Sequence, residues 1–124
     1  PYGNTTTFVE QTAAVPVILW SVDTLDWKSR DAKSVFQIVV DTHTTDGLDG
    51  KVILMHSIYD STAEATELLV PWLLDNGYQL VTVSELIKQS YGEDPAAGKL
   101  YGYGTGCGSG SCPCIRSWSQ RAEC

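Results

Sequence analysis

Two short loops hold the residues of this sequence best suited to chemistry. After the apolar run Val17–Trp20 comes Ser21-Val22-Asp23-Thr24-Leu25-Asp26-Trp27, and after Val52–Met55 comes His56-Ser57-Ile58-Tyr59-Asp60. Together they offer carboxylates, an imidazole and aromatic rings. An imidazole beside a carboxylate can hold and release a proton near neutral pH, and Trp27 and Tyr59 are rings of a kind that stack on pyranoses. Each residue alone also has a plainer reading. An Asp after a strand commonly caps a helix or forms a turn, and a lone His is often a satisfied polar residue. His56 gains because it directly ends an apolar run. His43 loses, because it sits one turn beyond Val39 and Val40 on a helical face, where it reads as structural or surface. Trp20 reads as core, and Trp27 as the substrate-facing aromatic.

Other chemistries fit less well. Paired carboxylates suit glycoside hydrolysis, but Asp23 and Asp26 in one loop are an unusual origin for such a pair. No Gly-x-Ser-x-Gly elbow is present for a serine hydrolase. Asp46-Gly47-Leu48-Asp49-Gly50 lacks the acidic positions and distal Glu of a calcium loop, and reads as a turn.

The surrounding elements must bring the two loops together. Val17–Trp20 and Val52–Met55 do not alternate with polar residues, so they read as strands buried on both faces of a parallel sheet. Between them Ala32, Val35, Phe36, Val39 and Val40 recur at helical spacing. Strand, helix, strand makes a βαβ unit, and its parallel strands hand both loops to one rim. Ser61 to Glu64 has the form of a capping box. It opens a helix with the face Ala65, Leu68, Leu69, Trp72 and Leu73, kinked at Pro71 and stopped by Asn76-Gly77. Tyr78–Val81 reads as a third strand. Thr82 to Glu85 reads as a second capping box, opening a helix to about Gln89.

The chain has 124 residues, 43% hydrophobic and 19% charged, enough for one compact domain. A net charge of −7 argues against a nucleic-acid or anionic-membrane surface. No apolar stretch reaches the length of a membrane span. The opening Pro1-Tyr2-Gly3 reads as a cut end, processed or truncated. All four cysteines (Cys107, Cys112, Cys114 and Cys124) fall after residue 102, in a Gly-rich stretch read as a flexible tail. Their spacing matches no standard zinc pattern, and disulfide bonding would allow three pairings.

Pro1-Tyr2-Gly3, then Trp20 to Trp27, then Leu54-Met55-His56-Ser57 resemble the last three of five motifs in the polysaccharide deacetylases. These form carbohydrate esterase family four, the nodulation-protein-like or NodB homology group. Gly77 to Leu86 is similar to the segment that closes many bacterial members. The resemblance runs from residue 1 to about 101. It implies an α/β fold, part of an incomplete β/α barrel, over residues 1–101, with 102–124 as the Gly/Cys-rich tail.

By the same resemblance, His56 is the general acid that protonates the leaving amine or alkoxide. Asp26 holds and tunes its imidazole; Asp23, in the same loop, is a further candidate as a supporting residue. Leu54 and Trp27 line the pocket for the acetyl methyl, and the backbone N–H of Tyr2 donates to the oxyanion. The family binds a divalent metal, zinc by expectation, through an Asp and two His, and a second Asp acts as base. Neither the Asp-Asp pair nor the His-x-x-x-His set has a counterpart here, so no metal ligand is assigned in this chain. The expected function is metal-dependent removal of acetyl groups from a peptidoglycan, chitin-like or xylan polymer. This chain would carry the general-acid half, and the rest of the same domain would be its partner. The alternative is a non-catalytic, carbohydrate-binding piece lacking the metal site. A secreted or cell-surface location in a bacterium goes with either.

Overall fold

The computed structural model describes residues 2–102. In chain order the elements are α1 (Thr7–Thr12), β1 (Val17–Ile18), β2 (Val22–Asp23), α2 (Asp26–Ser29), α3 (Ala32–Asp46), β3 (Ile53–Leu54), α4 (Asp60–Asp75), α5 (Val83–Tyr91) and β4 (Leu100–Tyr101). The strands pair in two parallel couples, β1 with β4 and β2 with β3. A βαβ unit is present as β2, α2–α3 and β3, but its first strand is Val22–Asp23, inside the segment read as a loop, and not the Val17–Trp20 run, whose β1 pairs with β4 instead.

Two expectations about the strands need correction. The Val17–Trp20 run is not one strand, because the backbone changes partner along it. Leu19 N–H donates to the Tyr101 carbonyl at 2.8 Å, whereas Ser21 and Val22 N–H donate to the Val52 carbonyl at 2.8 and 3.1 Å. Trp20 sits at this crossover and is half-buried, not core. Nor are the strands buried on both faces: Val22 is buried, but Val17, Ile18, Ile53 and Leu54 are only half-buried.

The core is built mainly from α3 and α4. Val35 and Val39 lie one turn apart on α3, and Ala65, Leu69 and Leu73 follow the same four-residue row on α4. They close with Val22 and Leu48 into one buried cluster. Each fully buried Val or Leu side chain contributes about 1.5–3 kcal/mol relative to exposure, so the α3–α4 seam dominates the packing. His43, in the last turn of α3, is part of its rim. Its Nδ1 is hydrogen-bonded to the Tyr78 hydroxyl at 2.6 Å, and its ring meets Trp72 edge-on at 5.2 Å.

The caps divide between agreement and correction. Thr82 and Glu85 form the expected capping box, and α5 runs on to Tyr91 before Gly92 at φ 72°. Ser61 does not cap α4. That helix already begins at Asp60 behind Tyr59, which offers no side-chain cap, because a turn from His56 delivers the chain earlier (Tyr59 N–H to His56 O, 3.3 Å). α4 continues through Pro71. Its end is a Schellman motif, with Tyr78 N–H on Leu73 O and Gly77 N–H on Leu74 O, both 3.0 Å, and Gly77 at φ 84°.

Tyr78–Val81 is not a strand: no described strand lies beside it, and its Tyr side chain serves α3 instead. A strand that the sequence reading did not assign closes the described chain: Leu100–Tyr101 pairs with β1, and Tyr101 is 2% exposed. The Gly/Cys-rich stretch from residue 103, with all four cysteines, lies outside the described residues. Among the described residues no helix is long and apolar enough to cross a membrane.

Candidate active site

The register Val22↔Ile53 and Asp23↔Leu54 sets the C-terminal ends of β2 and β3 side by side. Thr24, fully buried, pins them there by donating from its hydroxyl to the Leu54 carbonyl at 2.7 Å. The Asp23 carboxylate accepts from Leu25 N–H at 3.0 Å, an Asx-type turn. Leu25 then takes the left-handed conformation (φ 52°), which a branched side chain adopts at a cost of about 1–2 kcal/mol. The reversal aims the next side chain, Asp26, back under β3.

Asp26 has no exposed surface, and donors fill its carboxylate. Oδ1 accepts from the Trp27 N–H at 2.9 Å and is hydrogen-bonded to His56 Nδ1 at 2.7 Å. Oδ2 accepts from the His56 N–H at 2.5 Å and the Thr62 hydroxyl at 2.8 Å. A carboxylate has about four lone-pair sites and no donor, so this set saturates it. Burial pushes the Asp26 carboxyl up. The backbone and ring of His56, the Thr62 hydroxyl and the Trp27 N–H outweigh burial and hold it below its ordinary value. The group is ionised at neutral pH, so Nδ1 of His56 must carry the proton it shares. That fixes the tautomer and leaves Nε2 as the nitrogen free to exchange a proton with a ligand.

The His56 side chain is 38% exposed, so the ring is anchored on its buried edge and open to solvent elsewhere. The Tyr59 ring lies 6.3 Å away, and the Arg30 guanidinium lies over Tyr59 at 4.9 Å. Arg30 is itself left-handed (φ 48°) at the end of α2. Tyr59 therefore has one face already covered. Trp27 is half-exposed at 50%, its backbone tied to Asp26 and its indole free on the rim. An open groove of about 570 Å³, lined by Met55, Ser57, Thr62, Ala63, Val70 and Pro71 among others, adjoins the loop.

Of the residues singled out from sequence, the structure brings Asp26, His56, Trp27 and Leu54 together at the β2 and β3 ends. Asp23 stands beside them but bonds only into its own turn. Tyr2 forms no hydrogen bond with the pair; it is exposed in a turn whose next residue, Gly3, abuts the Trp20 ring. Sequence reading missed Thr62, which it took only as a residue inside a capping box. It also missed Thr24. Their signal lies in threonines that follow or face the motif loops, which is visible only once α4 is placed.

Among the described residues no group of three or more His, Cys, Asp or Glu is placed to hold a metal ion. Asp26 has no lone pair left to give, and His56 alone is one ligand where a zinc centre needs three or four. The described residues do not fit a metal centre by themselves.

The Asp-x-x-Asp-Trp loop and the Leu-x-His loop, separate in sequence, thus close on each other through one buried carboxylate. No protein-family model matches the chain, but relatives do. The chain belongs to the polysaccharide deacetylases, and spans part of the proteins it resembles. It is 40% identical over 101 residues to the peptidoglycan-N-acetylglucosamine deacetylase PgdA of Listeria monocytogenes, covering 82% of this chain and 20% of that protein. A solved T48 deacetylase with substrate superposes with a TM-score of 0.69 at 38% identity, over 82% of this chain and 47% of that one. The peptidoglycan deacetylase PdaC of Bacillus subtilis superposes with a TM-score of 0.64 at 40% identity, over 71% of this chain and 42% of that one. The mixed α/β fold with parallel strands is similar to these deacetylase structures. The chain spans about a fifth of the curated relative and under half of the solved chains.

Proposed function

We propose that the complete protein hydrolyses acetyl groups from a polysaccharide, and that this chain supplies the proton-donating side of the site. One observation carries the reading: His56 Nδ1 held at 2.7 Å by a buried, ionised Asp26. In deacetylation, water adds to the acetyl carbonyl and the carbon–nitrogen (or carbon–oxygen) bond then breaks. The departing amine or alkoxide is a poor leaving group until it gains a proton. With Nδ1 committed to Asp26, the imidazolium can give that proton only from Nε2. Asp26 keeps its charge and stabilises the imidazolium until transfer, then holds the neutral ring in place.

Trp27 and Leu54 are assigned to the acetyl pocket, and the Tyr2 N–H to the oxyanion in the complete site. The metal, zinc by the resemblance, and the catalytic base are assigned to residues outside this chain. The fold is read as part of an incomplete β/α barrel. Peptidoglycan is the proposed polymer, because PgdA and PdaC are named for it, and a secreted or cell-surface location is proposed with it. The half-exposed Trp27 supports the second reading, a glycan-binding piece without turnover.

The test is acetate release and free-amine formation by the complete protein on N-acetylated peptidoglycan, with O-acetylated xylan as comparison. Acetate with matching amine from peptidoglycan is expected. Binding with no acetate from either polymer would leave the glycan-binding reading and reject deacetylation.

A further inference from the structure

Three of the four donors to the site's carboxylate come from the two motif loops themselves: the Trp27 N–H and the backbone N–H and ring of His56. The fourth donor comes from elsewhere. Thr62 stands in the first turn of α4, is 3% exposed, and donates to Asp26 Oδ2 at 2.8 Å. We propose that Thr62 is a positioning residue, whose hydroxyl sets the plane of the Asp26 carboxylate and so the orientation of the His56 ring. The proposal rests on the reading of Asp26–His56 as the proton-donating pair and adds a residue to it.

The geometry carries it in three steps. Oδ1 and Oδ2 each take two donors, and rotation about the Asp26 side chain would break bonds at both oxygens together. On the Oδ1 side one of the two donors is the imidazole, which is free to swing about its own side-chain bonds. On the Oδ2 side both donors are fixed: a backbone N–H at 2.5 Å and a hydroxyl on a helix packed into the core. The rigid side therefore positions the movable one. Thr62 is also the only one of the four donors that ties the loops to α4, whose Ala65, Leu69 and Leu73 are buried against α3. A buried hydroxyl needs some partner in any case, so a purely structural Thr62 must be told apart by experiment. Among the described residues, His56 is the one titratable side chain bonded to Asp26, which keeps the reading of pH effects simple.

Thr62→Val keeps the branched shape and removes the donor, Thr62→Ala removes both, and Thr62→Ser keeps the donor alone. In the complete protein, turnover of acetylated peptidoglycan should fall about tenfold in Val and Ala, the loss of one hydrogen bond to a charged group. KM should hold and Ser should stay within about twofold of native. The acid limb of the turnover profile should move to higher pH in Val and Ala, because Asp26 loses a group that holds its carboxyl down. The ¹³C titration of the Asp26 carboxyl should move the same way. A merely structural threonine would lower the melting point and leave the acid limb where it is. If Val does not fold, the Ala and Ser pair decides. Ser falling as far as Ala, or an unmoved acid limb in Ala, would overturn the proposal. His56→Ala is run beside them. If that variant keeps full turnover, the proton-donor reading itself has failed, whereas a dead His56→Ala with an unaffected Thr62→Val rejects only the role of Thr62.

Discussion

Replacing Asp26 by Asn changes two oxygens into one oxygen and one NH₂ at nearly constant volume, and the structure says what that costs. All four contacts of the native group come from hydrogen donors. With the amide oxygen in the Oδ1 position, the NH₂ confronts the Thr62 hydroxyl, which can turn to accept, and the His56 N–H, which cannot. In the other orientation the imidazole can change tautomer to accept, but the Trp27 N–H is left facing a donor. Either way one backbone N–H is orphaned, at about 1–3 kcal/mol, and the remaining bonds lose their charge assistance. The sum is roughly 2–4 kcal/mol. A kilocalorie moves the midpoint of a domain this size by about 4–8 °C, so thermal unfolding followed by circular dichroism should show a fall of about 10–25 °C. The resemblance has Asp26 hold and tune the His56 ring; four donors on its carboxylate give the residue a structural cost besides. The pH dependence follows the same group. Its folded carboxyl lies below the ordinary value of 3.8, so its contribution is present above that value and lost as pH falls through the folded one. Asp26→Asn should therefore lose less stability than native between about pH 4 and the acid midpoint. A variant melting within about 3 °C of native, with an unchanged acid profile, would refute the four-donor account.

Two further substitutions test the frame that carries the site. Tyr78→Phe removes a hydroxyl shared by His43 Nδ1 (2.6 Å) and the Leu48 N–H (3.2 Å), and should cost about 1–3 kcal/mol in urea unfolding; an unchanged midpoint would show these bonds to be idle. Gly77→Ala meets no atom within 4 Å but must hold φ 84°, so about 1–2 kcal/mol of backbone strain is expected. Gly77→Asn should recover part of it, and Ala matching glycine would refute the strain reasoning.

How much of this was legible in the sequence depended on the range of the cause. The α5 capping box and the Gly77 stop are set by residues a few positions apart, and they appear as read, whereas the first strand of the βαβ unit falls at Val22–Asp23 and not in the Val17–Trp20 run. The meeting of Asp26 with His56 was legible in the resemblance of the two loops to a known pair of motifs, although the strand that sets it, Val22–Asp23 beside Ile53–Leu54, lies in the segment read as loop. Thr62 was not, since Ser61 to Glu64 has the pattern of a cap and only the turn from His56 to Tyr59 shifts the helix start. β4 was missed for a similar reason. Two residues carry no period, and Leu100–Tyr101 becomes a strand only because β1, more than eighty residues earlier, supplies its partner.

The central claim is that His56 gives the proton that lets the sugar amine leave. The direct measurement is steady-state acetate release from N-acetylated peptidoglycan by the complete protein, native against His56→Ala, with polymer binding measured in parallel. A positioned general acid contributes about 10²–10⁴-fold, so turnover should fall by that factor while binding stays within about threefold, since the bond from Asp26 to the ring is made for chemistry and not for affinity. Turnover within a few-fold of native in a folded His56→Ala would contradict the account.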